Sequence, residues 1–305
     1  MGRFASKLQR TLCWAPLAAV LVGLGCDSIK SSPIAQVPGG ERGLLAAGVP
    51  KKPGGVHPPL RVAKFAIYAD VPLDRGDVVF RELEDLPDQI QAELRLPAGN
   101  SLVNVYLFED QDKYEAFMKD RYPWLPVRRA YFIADQKRLG AADDLQVYTF
   151  LGEHLRTDLR HELTHALLHG VLKGVPLWLD EGLAGFFEQP LHHDGVNPEH
   201  LETLRKEYLP GGTPPDLGRL EKIGQVKQMG KPEYREAWAW VHFLLRSDPQ
   251  AKAELLEYVQ LLRENADPGP IQPKLAEAFA EPNAALLQHV YRAELPGAKI
   301  RTVGR

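Results

Sequence analysis

The sequence predicts an α+β fold, with a small mixed sheet in its first half and helices in its second. Between residues 61 and 151, segments rich in β-branched and aromatic residues alternate with segments of helical periodicity. Beyond residue 151 the apolar residues recur at helical spacing. The 305 residues are 44% hydrophobic and 25% charged, which is ordinary for a globular protein of one large domain or two lobes. A net charge of -3 gives no electrostatic reason to expect a nucleic-acid partner.

The first 25 residues predict a signal peptide. A basic start is followed by residues 11–25, which carry no charge. This apolar run is shorter than the ~20 residues that a membrane-spanning helix needs. The run ends at Cys26, and "VGLGC" resembles a bacterial lipobox, although Gly23 stands where such motifs usually have leucine. The resemblance implies acylation of Cys26 and a membrane anchor at the bacterial cell envelope. The alternative is an ordinary signal peptide followed by an incidental cysteine.

The mature chain divides by composition into three parts. Residues 26–60 are dense in proline and glycine, without periodicity, and predict a tether. Residues 61–190 predict the α+β lobe and residues 191–305 a helical lobe.

Each element of the first lobe has its own pattern. Pro87 lies inside one helical stripe, so a kink or two shorter helices are expected there. The predicted strands are 61–70, 101–110, 128–135 and 145–151, and the predicted helices are 76–96 and 110–122. The helical lobe is expected to contain helices at 234–247, 250–265 and 281–295.

The segment "RHELTHALLH" (160–169) has the spacing of a metal site. Residues four apart lie on one face of a helix, so His161 and His165 can share one ion. Glu162 lies about 100° further round the helix. It can act on a water molecule at the open position of the metal, as hydrolysis requires. The alternative is an inert helix with two polar surface histidines.

A catalytic zinc site needs a third protein ligand, and the sequence offers Glu181 in "PLWLDEGLAGFFE" (176–188). This segment predicts the start of a second helix, because Gly174 and Pro176 end the first one. A helix, a turn and a second helix would bring Glu181 back over the two histidines.

These two segments together resemble the gluzincin metallopeptidases of the peptidase-MA-like superfamily. The nearest similarity is to the aminopeptidase-N-like group, in which a "WLNEG" segment presents the third ligand; here Asp180 stands where asparagine is common. The resemblance covers about 30 residues. It implies a zincin-like fold, a Zn²⁺ ion on His161, His165 and Glu181, and Glu162 as general base.

The sequence also departs from that family. The connection between His165 and Glu181 is short, and the exopeptidase motif is absent. Gly185 stands where thermolysin-like enzymes have an aspartate that supports a ligand. The sequence therefore indicates the superfamily but not aminopeptidase activity.

Several further residues are candidates for the site. Tyr234 resembles the family tyrosine that stabilises the oxyanion, with a structural phenol as the alternative. His242 is a weaker candidate for the same role and is expected to be a packed helical residue, while His169 is expected to turn away from the metal. Peptides often bind to such folds as an added strand. We expect "LQVYTFL" (145–151) to provide that edge, with "RRAYFIAD" (128–135) competing.

The expected function is zinc-dependent hydrolysis of peptide bonds in a peptide or protein substrate at the cell envelope. One alternative is a catalytically silent lipoprotein that keeps the fold as a binding or scaffolding module. Another is metal-dependent hydrolysis of amides other than peptides.

Overall fold

The computed structural model describes residues 52–53, 57–135, 144–208 and 215–296. It confirms the α+β class: one mixed five-stranded sheet lies with helices in the first half of these residues, and helices make up the second half. The predicted signal peptide, Cys26 and most of the predicted tether lie outside the described residues. Within them, no helix is long and apolar enough to cross a membrane.

The sheet has three parallel strands at its centre and an antiparallel strand at each edge. Its strands are β1 (Leu60–Val62), β2 (Phe65–Ala69), β3 (Val103–Phe108), β4 (Tyr131–Asp135) and β5 (Asp144–Phe150), in the order β1-β2-β3-β5-β4. The strand predicted at 61–70 is in fact the hairpin of β1 and β2. Ala63 turns the chain with a φ of 47°, a conformation that alanine does not signal in a sequence.

At one edge of the described sheet lies β4, next to β5. β5 pairs with β3 on one side and with β4 on the other, so it has no free edge. The expectation that 145–151 accepts an added strand is therefore wrong. The competing segment, 128–135, contains β4, which pairs with β5 alone among the described strands.

The helices of the first half support the sheet. The predicted helix at 76–96 is two helices, and Pro87 lies in the first turn of the second, where its missing N–H is not needed. The helices are α1 (Val78–Glu84), α2 (Leu86–Leu94), α3 (Gln111–Arg121) and α4 (Leu155–His169). The main core joins one sheet face to α1, α2 and α4, and a smaller aromatic cluster joins the other face to α3.

The second half is helical. Its helices are α5 (Leu177–Phe187), α6 (Pro198–Glu207), α7 (Leu217–Leu220), α8 (Lys231–Arg246), α9 (Pro249–Glu264), α10 (Gln272–Ala278) and α11 (Pro282–Arg292). The three helices predicted after residue 234 are confirmed as α8, α9 and α11. α5 lies between α4 and α8 and contacts both. The two histidines of α4 and the glutamate of α5 are thereby held between packed helices.

Candidate metal centre

Two successive helices bring the predicted ligands together. α4 carries His161 and His165 on one face, and the chain then turns into α5, which starts after Pro176. The guanidinium of Arg160 ties the two helices together by donating to the Phe187 carbonyl in the last turn of α5 (2.9 Å). Glu181, in the first half of α5, faces the two histidines as predicted.

The three side chains converge on one point. Glu181 Oε2 lies 3.4 Å from His161 Nε2 and 3.7 Å from His165 Nε2. Ligands on a tetrahedral zinc ion at about 2.0–2.2 Å are separated by about 3.3–3.6 Å. The two Nε2 atoms and both Glu181 oxygens are buried and have no hydrogen-bond partner among the described residues. Buried polar atoms without partners are costly, so their convergence fits a cation between them. This buried group could hold a metal ion.

The electrostatics of the group favour positive charge. Burial lowers the pKa of His161, but Glu181 and Glu188 outweigh it and raise that pKa to about 10. Burial also lowers the pKa of His165, and Asp180 more than compensates, so that pKa is raised. Burial raises the pKa of the Glu181 carboxyl, although the two imidazoles oppose it. Without a metal these carboxylates draw protons onto the imidazoles, and a divalent cation would satisfy the same negative charge.

Each histidine has a carboxylate behind it. Glu188 Oε2 lies 2.8 Å from His161 Nδ1, and Asp180 Oδ1 lies 2.8 Å from His165 Nδ1. Sequence reasoning missed both roles. In the sequence, Asp180 is distinguished only as an exchange for asparagine next to the ligand, and Glu188 stands outside the predicted ligand set. Its place two turns after Glu181 on α5 was the available signal.

Glu162 and Tyr234 border the same site. Glu162 is fully buried on α4 and carries the charge that helps to raise the pKa values of Tyr114, Tyr131 and Tyr234. Burial raises the pKa of Tyr234 above its ordinary value, and Glu181 adds to this. The Tyr234 phenol at the start of α8 is therefore neutral and within electrostatic range of the ligand carboxylate. The guanidinium of Arg128, which sequence reasoning did not select, lies beside it.

Other candidates have different surroundings. His169 Nε2 lies 3.2 Å from Asp180 Oδ2, so it faces the carboxylate behind His165 and is not part of the ligand group. His242 shares a hydrogen bond of 2.8 Å with His289 and packs against Phe186 and Trp238. His242 is therefore a packed helical residue, as expected.

No known protein family matches the sequence, and neither does any curated protein. The local geometry of α4 and α5 is therefore the basis for assigning a function.

Proposed function

We propose that this protein is a zinc-dependent peptide hydrolase of the gluzincin type. The observation that carries the proposal is the convergence of His161 Nε2, His165 Nε2 and the Glu181 carboxylate, with Glu162 next to the first ligand on the same helix. Two imidazoles and one carboxylate form a donor set typical of catalytic zinc, which keeps a position open for water or substrate. A structural zinc site would instead present four protein ligands.

The roles of the protein groups follow from their positions. When bound, a zinc ion would lower the pKa of a water molecule and polarise the peptide carbonyl. Glu162 accepts a proton from the attacking water and later gives it to the leaving amine. The carboxylate can do this because α4 holds it about 100° from His161, beside the metal position and not on it. Its burial keeps bulk water away from the proton that it carries.

Tyr234 is the proposed oxyanion stabiliser. Its phenol stays protonated, because burial and Glu181 both raise its pKa. A protonated hydroxyl can donate a hydrogen bond to the oxygen on which negative charge develops. Arg128 beside it adds positive charge to the same region.

The proposed substrate path runs along β4. This strand is at the edge of the described sheet and packs on α4. Phe132 of β4 stacks on the ring of His165, with centroids 6.5 Å apart. A peptide paired with β4 would therefore place its backbone next to the metal ligands.

The test compares a glutamate beside the proposed metal ligands, Glu162, with one outside the site, Glu82. Glu162→Gln should retain bound zinc, measured by mass spectrometry of the dialysed protein, and lose about 10²–10⁴-fold in peptide cleavage. Glu82→Gln is the matched control, because Glu82 pairs with Arg156 of α4 outside the site. It should keep both zinc and turnover. His161→Ala should lose the metal. Wild-type cleavage rates in Glu162→Gln would show that Glu162 is not the base.

Screening a peptide library with and without a chelator addresses the alternatives. Cleavage that stops on chelation supports the proposal. A protein that binds zinc but cleaves no peptide with or without chelator would be the silent binding module. Cleavage restricted to small amides would indicate a metal-dependent hydrolase of amides other than peptides.

The proposal includes attachment to the bacterial envelope through acylated Cys26. Expression in a bacterium with a labelled fatty acid should label the wild type and not Cys26→Ala. The variant should move from the membrane fraction to the soluble fraction. Membrane retention of the unlabelled variant would contradict a lipid anchor at this residue.

A further inference from the structure

One carboxylate of α5 has a position that the ligand set alone does not explain. Glu188 follows the last turn of α5 and is almost completely buried. Its Oε2 is 2.8 Å from His161 Nδ1, on the side of the imidazole opposite the ligand atom Nε2. An ionised carboxylate can only accept hydrogen bonds, so the imidazole proton in this contact is on Nδ1.

The other oxygen of Glu188 is held from a different element. The Asn197 amide donates to Glu188 Oε1 (3.2 Å), and the Gln189 amide lies at the same distance. Asn197 is itself fixed, because its Oδ1 accepts from the His200 N–H at the start of α6. A continuous chain of hydrogen bonds therefore runs from the first turn of α6 through Glu188 to His161.

The spacing of these residues makes the arrangement particular to this chain. Glu181 and Glu188 are two helical turns apart and lie on one face of α5. At the intermediate position, one turn after Glu181, Gly185 has no side chain to support a ligand. A Cβ there would meet Trp238 of α8 at 3.7 Å, so this position points to α8.

We propose that Glu188 is the positioning residue for the metal ligand His161: it fixes the ring orientation and keeps the proton on Nδ1, so that Nε2 faces the metal. Asn197 holds Glu188 in place for this role. The inference rests on the proposed metal centre and adds to it the group that prepares the site for the ion. α5 then supplies one ligand and also a carboxylate that orients another.

The physical reason is that a neutral imidazole has two tautomers and only one of them presents Nε2 as a ligand. When Nε2 gives up its proton to bind the metal, the carboxylate at Nδ1 keeps the remaining proton on that nitrogen, and its charge makes Nε2 a better donor. Loss of such a partner typically lowers metal affinity about 10–100-fold.

Zinc affinity, measured by competition with a chromophoric chelator, tests the proposal in full-length protein. Glu188→Ala should bind zinc about 10–100-fold more weakly than wild type. Glu188→Gln keeps the volume and an acceptor oxygen but loses the charge, so its affinity should fall between the two. Asn197→Ala should weaken zinc binding by less than Glu188→Ala does. Glu93→Gln is the control, because Glu93 pairs with Arg246 and Lys252 away from the ligands, and its zinc affinity should be unchanged.

A second measurement separates positioning from general destabilisation. Nitrogen-15 NMR of the histidine side chains in the zinc-loaded protein should show the Nδ1–H tautomer for His161 in wild type. In Glu188→Gln the Nδ1 proton of His161 should exchange faster with water. If wild type binds no zinc, the metal centre itself is wrong. If wild type binds zinc and both Glu188 variants match its affinity and its His161 spectrum, the metal centre stands and the role of Glu188 is refuted.

Discussion

Gly182, which follows the proposed third ligand Glu181, tests whether the close packing of α5 on α8 keeps that ligand in position. Gly182 lies where α5 packs closely against α8. A Cβ added to it would lie 2.5 Å from the Ala237 carbonyl oxygen and 2.6 Å from Val241 Cγ2. Both neighbours belong to α8, and the nearer atom is backbone, so it cannot rotate away. Gly182→Ala must therefore move one helix.

The size of the effect follows from these distances. Ordinary contacts of a Cβ begin near 3.4 Å, so α5 and α8 must separate by about 0.9 Å (3.4 − 2.5). Overpacking of this kind typically costs about 1–3 kcal/mol of unfolding free energy. The preceding residue is Glu181, whose oxygens must stay within about 0.2 Å of their coordinating distance. We therefore expect zinc affinity to fall about tenfold or more as well.

Gly185→Ala is the matched control on the same helix. Its Cβ would meet only Trp238 atoms, at 3.7 Å, which is an ordinary contact. Replacing a helical glycine with alanine in an open position stabilises a protein by about 0.5–1 kcal/mol. Urea unfolding of the metal-free protein and zinc competition measure the two effects. Equal stability and equal zinc affinity of Gly182→Ala and wild type would refute the close α5–α8 contact.

Three further predictions concern stability. Burial lowers the pKa of His242 to about 3, with His289 and Arg246 adding to the effect, and burial lowers that of His289 to about 4. As the pH falls, the unfolded chain therefore protonates these two histidines at a higher pH than the folded chain does. The free energy of unfolding should decrease by about 2–4 kcal/mol between about pH 7 and pH 5. In urea unfolding of metal-free protein, His242→Leu combined with His289→Leu should remove that part of the pH dependence. Arg129→Ala leaves Asp158 buried without its ion-pair partner (2.7 Å) and should lower the free energy of unfolding by about 2–4 kcal/mol. Loss of the exposed Arg75–Glu84 pair should lower it by under about 0.5 kcal/mol. Equal losses in the two variants would contradict this prediction. Zinc at 100 times its dissociation constant should stabilise wild type by about 2.7 kcal/mol in thermal unfolding, an effect that His161→Ala should abolish.

The two histidines of the ligand group could be predicted from helical geometry, and Glu181 from the resemblance of its segment to the gluzincins. His161 and His165 are one turn apart, and Glu181 follows a short turn into the next helix. A disruption at Pro87 was predictable for a similar reason, since proline inside a helix kinks or breaks it; the structure has two helices in place of one kinked helix.

Other features depend on contacts between distant segments. The order of β4 and β5 in the sheet is set by how the chain crosses over after α3. Both segments are rich in apolar and aromatic residues, so their composition does not show which of them is the edge strand. Helical periodicity puts Glu188 on the same side as Glu181, but the 2.8 Å contact with His161 also depends on how the end of α5 packs against the middle of α4.

The composition of α4 is itself an argument for chemistry at this site. This 15-residue helix is buried on nearly all sides, and many of its buried side chains are polar or charged: Asp158, Arg160, His161, Glu162, Thr164 and His165. Burial of ionisable groups costs free energy, and apolar residues of similar volume are often as stable or more so. Asp158 and Arg160 have structural partners in Arg129 and the end of α5, which accounts for their presence. The imidazole Nδ1 atoms have Glu188 and Asp180 as partners, but the two Nε2 atoms and the Glu181 oxygens are buried with no hydrogen-bond partner in the described part of the chain. Such a cost is typical of a functional site, and in this protein it is concentrated where a metal-dependent hydrolase needs its ligands.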